Sequence, residues 1–324
     1  MAPGTDTNAS SADCEIIITR IFDAPPELVW RAWTDPEQIA QWWGPNGFTT
    51  TTYHMDVRVG GEWRFDFHGP DGRLYPNRIV YDDIEAPNRL VYSHREVEGA
   101  DFDPVTFQSF VTFERRGEQT NLTLRMVFPT TAERDRVVRE FGAVDDGIQT
   151  VNRLAAHLAG RAAVRPVLTI ALPTSRELVM VRSFNAPQLF VWEANTKPEL
   201  FRQWLSGPPG WTWAECENDF RVGGQFRWSW RGPDDALIAM HGEYREIESP
   251  HRIVRTESFD MGCGPQAGEQ LATLSLVECD GGTVVKISLL FPSTEARDGA
   301  IASGMEHGVS AGYDRLDALY AASV

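Results

Sequence analysis

The sequence predicts an α+β protein built as two copies of one domain, each an antiparallel sheet covered by a long C-terminal helix. Three observations carry this. The chain matches itself at a shift of 162 residues, so that Phe22, Ala24, Pro25, Val29 and Trp30 meet Phe184, Ala186, Pro187, Val191 and Trp192. After one inserted residue near Ser206 the match resumes, and Arg58-Val59-Gly60-Gly61 meets Arg221-Val222-Gly223-Gly224. Within each copy the apolar period is two through the middle and helical at the end, the pattern of a sheet whose apolar face needs a helix to cover it. The repeat is far longer than a solenoid unit, so a whole domain is duplicated.

The elements follow in order. Glu15–Phe22 and Glu177–Phe184 are apolar and isoleucine- or valine-rich, and read as opening strands. Pro25 and Pro26 suit the first turn of a helix with Leu28, Val29, Ala32 and Trp33 on its apolar face. Asp35-Pro36 breaks it, and a second short helix carries Ile39, Trp42 and Trp43. Strands are expected at Val57–Val59, Glu62–His68, Arg78–Glu85, Arg89–Arg95, Phe107–Arg115 and Asn121–Phe128, with a hairpin turn at Gly69-Pro70-Asp71-Gly72. Thr130 and Glu133 read as a capping box, with Glu133 reaching back. Gly142 and Gly147 are expected to divide the closing helical stretch. The boundaries expected are a disordered tail at 1–13, one domain at 14–160, a linker at 161–175 holding a short strand near Val167–Ile170, and a second domain at 176–324.

Composition narrows the function classes. A formal net charge of −16 and the absence of any Lys/Arg cluster beyond pairs such as Arg115-Arg116 argue against nucleic-acid binding. The opening residues lack the basic and apolar regions of a signal peptide, and no run of apolar residues is long enough to span a bilayer; a cytoplasmic protein with no membrane partner is expected. Cys14, Cys216, Cys263 and Cys279 form no CxxC pair and read as free thiols, and the sequons at Asn8 and Asn121 then carry no glycan. The seven histidines show no ligand spacing, so neither a metal nor a cofactor is expected. Gly308-Val309-Ser310-Ala311-Gly312 matches a nucleophile-elbow pattern but lies in a helical stretch with no strand entering it, and Gly262-Cys263-Gly264-Pro265 is a loop with no helix after it to cradle phosphate.

The order strand, two short helices, antiparallel strands, long helix resembles the helix-grip layout of the START-like (SRPBCC) superfamily. Phe-x-Ala-Pro-x-x-x-Val-Trp from Phe22, the Val59-Gly60-Gly61 strand entry, the Gly-Pro-Asp turn, and Tyr81-x-x-Ile84-x-x-Pro87-x-Arg89 are similar to the heat-shock-protein ATPase-activator homologue branch, and both copies carry the set. The resemblance implies a curved sheet wrapped around the long helix with an elongated apolar cavity between them. It implies no single activity, because relatives include lipid and hormone binders, polyketide cyclases or aromatases, and co-chaperone domains.

On that layout Trp63, Phe65 and Phe67, and in the second copy Phe226, Trp228 and Trp230, form one aromatic stripe that is both core and cavity wall. Candidate polar groups among those walls are Tyr75, Asn77, Arg78, Tyr92 and His94 in the first copy, and His241, Glu243, Arg255 and Glu257 in the second. The copies disagree: Arg78 aligns with His241 and His94 with Glu257, so one chemistry does not run in both. The leading expectation is a carrier of a small apolar molecule, with bulky Trp213 and Trp230 able to close the second cavity. A cyclase-like enzyme and a protein-interaction role on a chaperone stand as alternatives.

Overall fold

A computed structural model describes residues 11–97, 105–160, 167–207, 210–260, 268–279 and 281–323. The chain divides into two compact units, Met1–Arg165 with Thr169–Thr174, and Pro166–Leu168 with Ser175–Val324.

The first unit runs β1 (Glu15–Phe22), α1 (Pro26–Thr34), α2 (Pro36–Trp42), β2 (Thr49–Met55), β3 (Glu62–His68), β4 (Leu74–Glu85), β5 (Arg89–Arg95), β6 (Phe107–Arg116), β7 (Gln119–Val127), α3 (Thr131–Phe141), α4 (Ala143–Ala159) and β8 (Thr169–Leu172). All pairings are antiparallel, in the order β8-β1-β7-β6-β5-β4-β3-β2. The second unit repeats the plan with β9 (Glu177–Phe184), α5 (Gln188–Thr196), α6 (Pro198–Trp204), β10 (Thr212–Asn218), β11 (Gln225–Arg231), β12 (Leu237–Glu248), β13 (Arg252–Asp260), β14 (Gln270–Cys279), β15 (Gly282–Leu290), α7 (Thr294–Ala302) and α8 (Met305–Ala321). Its order is β9-β15-β14-β13-β12-β11-β10. Each unit is thus an α+β helix-grip domain, as the motif order implies.

The sequence-predicted elements differ from this in a few places. Val57–Val59 is not a strand; the edge strand is β2, where the threonines of Thr49–Thr52 hide the apolar period but suit an extended edge through their β-branching. In the 161–175 segment, Thr169–Leu172 pairs with β1, through Ile17–Leu172, Ile18–Ala171 and Thr19–Ile170. From the expected tail, Ser11–Cys14 forms a turn of 3-10 helix leading into β1. Thr130 caps α3 as expected, its Oγ1 accepting from the Glu133 amide at 3.1 Å, but the Glu133 carboxylate pairs with Arg136 instead of reaching back.

Helix entry is set locally. Asp35 ends α1 and caps α2, its carboxylate accepting from the amides of Glu37 and Gln38. Trp42 is fully buried, and its indole Nε1 donates to the Ala32 carbonyl at 2.9 Å; Trp204 does the same to Ala194 at 2.8 Å. A large apolar body with its one donor satisfied locks α1 to α2, and α5 to α6, under each sheet.

Gly142 separates α3 from α4 in the left-handed conformation, φ 62°, but Gly147 does not break the helix. It sits inside α4, where an added Cβ would lie 2.4 Å from Ile18 Cδ1 on β1, so its role is to let the helix approach the sheet. G147A is therefore expected to lose about 1 to 2 kcal/mol, the overpacking outweighing alanine's better helix propensity of about 1 kcal/mol. In an I18V background, which removes Cδ1, the same change should cost nothing. Chemical denaturation of the four variants checks this; an equal cost in both backgrounds would show that the contact is not the cause.

A candidate ligand cavity in the second domain

The Gly223-Gly224 turn delivers the chain into β11, and period-two alternation then sets faces. Phe226, Trp228 and Trp230 pair across β12 with Gly242, Met240 and Ile238, and all of these face inward. On β13 the inward positions are Ile253, Arg255, Glu257 and Phe259, because Phe259 pairs with Met240 and Arg255 with Tyr244. On β14 Glu257 meets Gln270 and Arg255 meets Ala272. An inward arginine, glutamate and glutamine therefore lie side by side on an otherwise apolar surface.

These walls and α8 enclose a cavity of about 930 Å³. Trp204, Trp228, Trp230, Met240, Leu274 and Tyr313 are among the residues that form it, and Arg255, Glu257, Gln270 and Arg315 are among its polar groups, with Asn195 and Glu295. Trp230 forms a wall instead of a plug. Its ring lies 4.9 Å from that of Trp213, and its Nε1 donates to the Leu205 carbonyl at 2.9 Å, which pins both indoles at one end.

The polar group is tightly built. Arg255 Nε and Nη2 each lie 2.8 Å from Glu257 Oε1, and Gln270 Nε2 donates to Glu257 Oε2 at 2.9 Å. The guanidinium sits 4.9 Å from the centre of the Trp228 ring and 5.4 Å from that of Phe226. Burial alone would lower the Arg255 pKa, but Glu257 and Tyr244 beside it hold it above the ordinary value. Its side chain keeps 19% of its surface open against 7% for Glu257, so the cation is the member of the pair that presents itself to the cavity. An arginine that stays charged does not exchange protons, and both oxygens of Glu257 are already accepting. The arrangement is suited to orienting and polarising a bound group, not to shuttling protons.

Removing one partner of a buried pair leaves the other uncompensated. E257Q is expected to destabilise the second domain by about 3 kcal/mol, whereas R255M/E257M, which removes both charges at similar volume, should lie within about 1 kcal/mol of the parent. Urea unfolding followed by tryptophan fluorescence separates these, and equal losses would show that the pair does not act as a unit.

The first domain fills the equivalent space differently. Tyr92, His94 and Phe107 stand where Arg255, Glu257 and Gln270 stand. His94 stacks on Phe107 at 4.0 Å, and Phe107 on Phe128 at 5.1 Å. Trp33 and Trp43 replace Asn195 and Leu205, and Trp43 packs against Trp33, Trp42 and Trp63 at 5.3 to 5.5 Å. Burial lowers the His94 pKa to about 3, so this imidazole is neutral.

The expected site residues divide accordingly. In the first domain Trp63 and Phe65 are buried and stacked at 4.1 Å, Phe67 follows at 5.1 Å, and Tyr92 and His94 face the same interior. Tyr75 is at the rim, its hydroxyl donating to Asp71 at 2.8 Å. Arg78 is a correction: it pairs in register with Arg64, on the face opposite Trp63 and Ile79, and its guanidinium binds Glu62. His241 is the same correction in the second domain, opposite Arg227 and 3.7 Å from Asp260 on the outer face. Successive strand residues point to opposite faces, so Arg78 cannot share the face of its neighbour Asn77. Phe226, Trp228 and Arg255 do converge, with Trp230 beside them. Gln270, Tyr313 and Arg315 were not anticipated. Gln270 and Tyr313 differ from their counterparts Phe107 and Val151, whereas Arg315 matches Arg153. The Gly262–Pro265 loop and Cys263 lie outside the described residues. The Gly308–Gly312 stretch lies within α8, as its helical context implied.

Each closing helix carries an arginine that braces the loop after the second short helix of its own domain. Arg315 donates to the carbonyls of Trp204 and Gly207, and Arg153 likewise to those of Gly44, Pro45 and Phe48. Among the described residues no group of three or more His, Cys, Asp or Glu side chains could hold a metal ion, and no helix is long and apolar enough to cross a membrane.

The family model described as "Activator of Hsp90 ATPase homolog 1-like protein" matches the chain twice, over 23–159 and 185–321. No curated protein matches. Among solved structures, a Rhodobacter sphaeroides protein is 32% identical over 48% of this chain and 99% of its own, with a TM-score of 0.45. An Arthrobacter aurescens protein is 23% identical over 49% and 93%, with a TM-score of 0.44, and a Mycobacterium smegmatis protein is 24% identical over 46% and 94%, with a TM-score of 0.42. Each spans about half of this chain.

Proposed function

Because the chain belongs to the activator of Hsp90 ATPase homolog 1-like family, in two tandem copies, we propose that its second domain binds a small, largely apolar molecule. The observation that carries this is the 930 Å³ cavity, walled by aromatic and aliphatic side chains with one buried polar group set among them. That volume falls in the range of small-molecule sites, and few placed polar groups on apolar walls is their usual chemistry. The first domain, with its interior occupied by stacked rings at the equivalent positions, acts as a structural partner copy or an interaction module. The non-reactive character of the Arg255–Glu257 pair favours carriage over a cyclase-like reaction.

The test is native mass spectrometry of the full chain, repeated after denaturation, together with titration by the apolar dye Nile red. One retained small molecule lost on unfolding, or one saturable dye site per chain, is the expected result. A bare chain that takes up no dye would sink the carrier reading. The family description would then direct the next measurement, the ATPase rate of a chaperone with the protein added in trans.

A further inference from the structure

Around Arg255 the buried polar atoms left without a partner are both able to donate, and that narrows the ligand. Arg255 presents its open surface to the cavity and can only donate. Among the described residues of the cavity, the buried polar side-chain atoms that lack a partner are Trp228 Nε1 and Tyr313 Oη, an N–H and an O–H. Trp228 lies under the Arg255 guanidinium. Tyr313 is 2% exposed, its ring stacks on Trp204 at 5.6 Å, and it lies close enough to Arg255 and Arg182 for their charge to offset part of the rise that burial imposes on its pKa. The acceptors beside Arg255 are already engaged: the two Glu257 oxygens take Arg255 and Gln270, and the Leu205, Trp204 and Gly207 carbonyls take Trp230 and Arg315; the lining also includes Asn195, Ser293, Glu295 and Ser303. A buried donor left without an acceptor is costly, and an acceptor supplied by the ligand relieves that cost.

Charge selects further. The Arg255 cation is already balanced by Glu257 at 2.8 Å. A ligand carboxylate would have to displace Glu257, leaving a second carboxylate buried beside it, or be desolvated against a neutralised pair; either is unfavourable. Arg315 also lines the cavity with its Nε and Nη2 donating to two backbone carbonyls, and Glu295 on the same lining carries the opposite charge. A neutral acceptor, by contrast, takes a donor from Arg255 without disturbing the pair.

Resting on the cavity reading above, we propose that the second-domain site recognises a neutral carbonyl compound, an apolar ring system bearing a ketone or quinone-type oxygen, with Arg255 as the donor that seats that oxygen.

Three probes of one skeleton test this by isothermal titration calorimetry on the full chain: fluorene, 9-fluorenone and fluorene-9-carboxylate. The expected order of affinity is 9-fluorenone, then fluorene, then the carboxylate. In R255M/E257M the preference for 9-fluorenone over fluorene should fall about tenfold, the range of a hydrogen bond to a charged donor. Tyr313→Phe should reduce the same preference by a smaller factor. A fluorenone-to-fluorene ratio that is unchanged in R255M/E257M overturns the role of Arg255, and tightest binding by the carboxylate overturns the neutral-ligand assignment. Failure of all three probes to bind the parent would remove the cavity reading itself, and this inference with it.

Discussion

The variant N195W/L205W/Q270F, which gives the second domain three bulky residues of the first, should fold and lose affinity for Nile red by about a hundredfold. Each position faces the cavity, and each replacement has a demonstrated place on this backbone. In the first domain Trp33 and Trp43 pack edge-to-face at 5.5 Å, Trp43 reaches Trp63 at 5.3 Å and Phe65 at 6.5 Å, and Phe107 lies flat on His94. The equivalents of Trp63 and Phe65 are Phe226 and Trp228, so the introduced indole at 205 would lie over the aromatic wall against which a ligand would otherwise rest. A hundredfold corresponds to about 2.7 kcal/mol, the burial of roughly one large apolar side chain, and is a modest demand on three ring insertions. Near-ultraviolet circular dichroism establishes that the variant is packed. Undiminished dye binding in a packed variant would place the dye elsewhere on the molecule.

The same comparison explains what could be read from the sequence. The fold followed from motifs whose job is geometric and local: Asp35 capping α2, Trp42 and Trp204 tying paired helices, the glycine pairs before β3 and β11. The tryptophan ties and the glycine pairs repeat in both copies, so duplication marks them, whereas Lys197 stands in place of Asp35 and gives α6 no side-chain cap. The site does not repeat, and so the internal match pointed away from it. The aromatic stripe was readable because alternation along one strand assigns a face without reference to any other strand. Arg78 and His241 failed for the same reason, since alternation puts them outside, and only the cross-strand pairs with Arg64 and Arg227 make that plain. Gln270 joins the Arg255–Glu257 pair only through the cross-strand register of β13 and β14, and Tyr313 only when the sheet closes on α8. Gly147 shows the converse: its helix-breaking tendency is a local property, overruled by the need for α4 to approach Ile18.

Acid should weaken the first domain through His94, and H94F should reverse the sign of that dependence. In the fold the imidazole is buried between Tyr92 at 5.6 Å and Phe107 at 4.0 Å, and burial alone lowers its pKa from 6.5 to about 3. Between those values the unfolded chain holds a proton that the folded one does not, so stability is complete above pH 6.5 and falls as the pH drops toward 3. By pH 4.5 the loss is about 2.7 kcal/mol, taking about 1.4 kcal/mol for each unit of difference between the two states. Asp146 at the start of α4 acts in the opposite direction. Partial burial and the neighbouring Asp145 raise its pKa from 3.8 to about 6, so it is the folded state that holds the extra proton, and stability grows as the pH falls through 6. With His94 present its larger shift dominates. With phenylalanine in its place, which keeps the stack on Phe107 and removes the titration, Asp146 is left to set the slope. Hydrogen exchange of the β5 and β6 amides in the full chain, corrected for the intrinsic pH dependence of exchange, reads the stability of this domain separately from its neighbour. Protection in the parent should decrease from pH 7 to 4.5, and in H94F it should hold or rise. A parallel decrease in both proteins would mean that His94 does not control the acid response, and that carboxylates paired in the fold, such as Glu62 with Arg78, govern it instead.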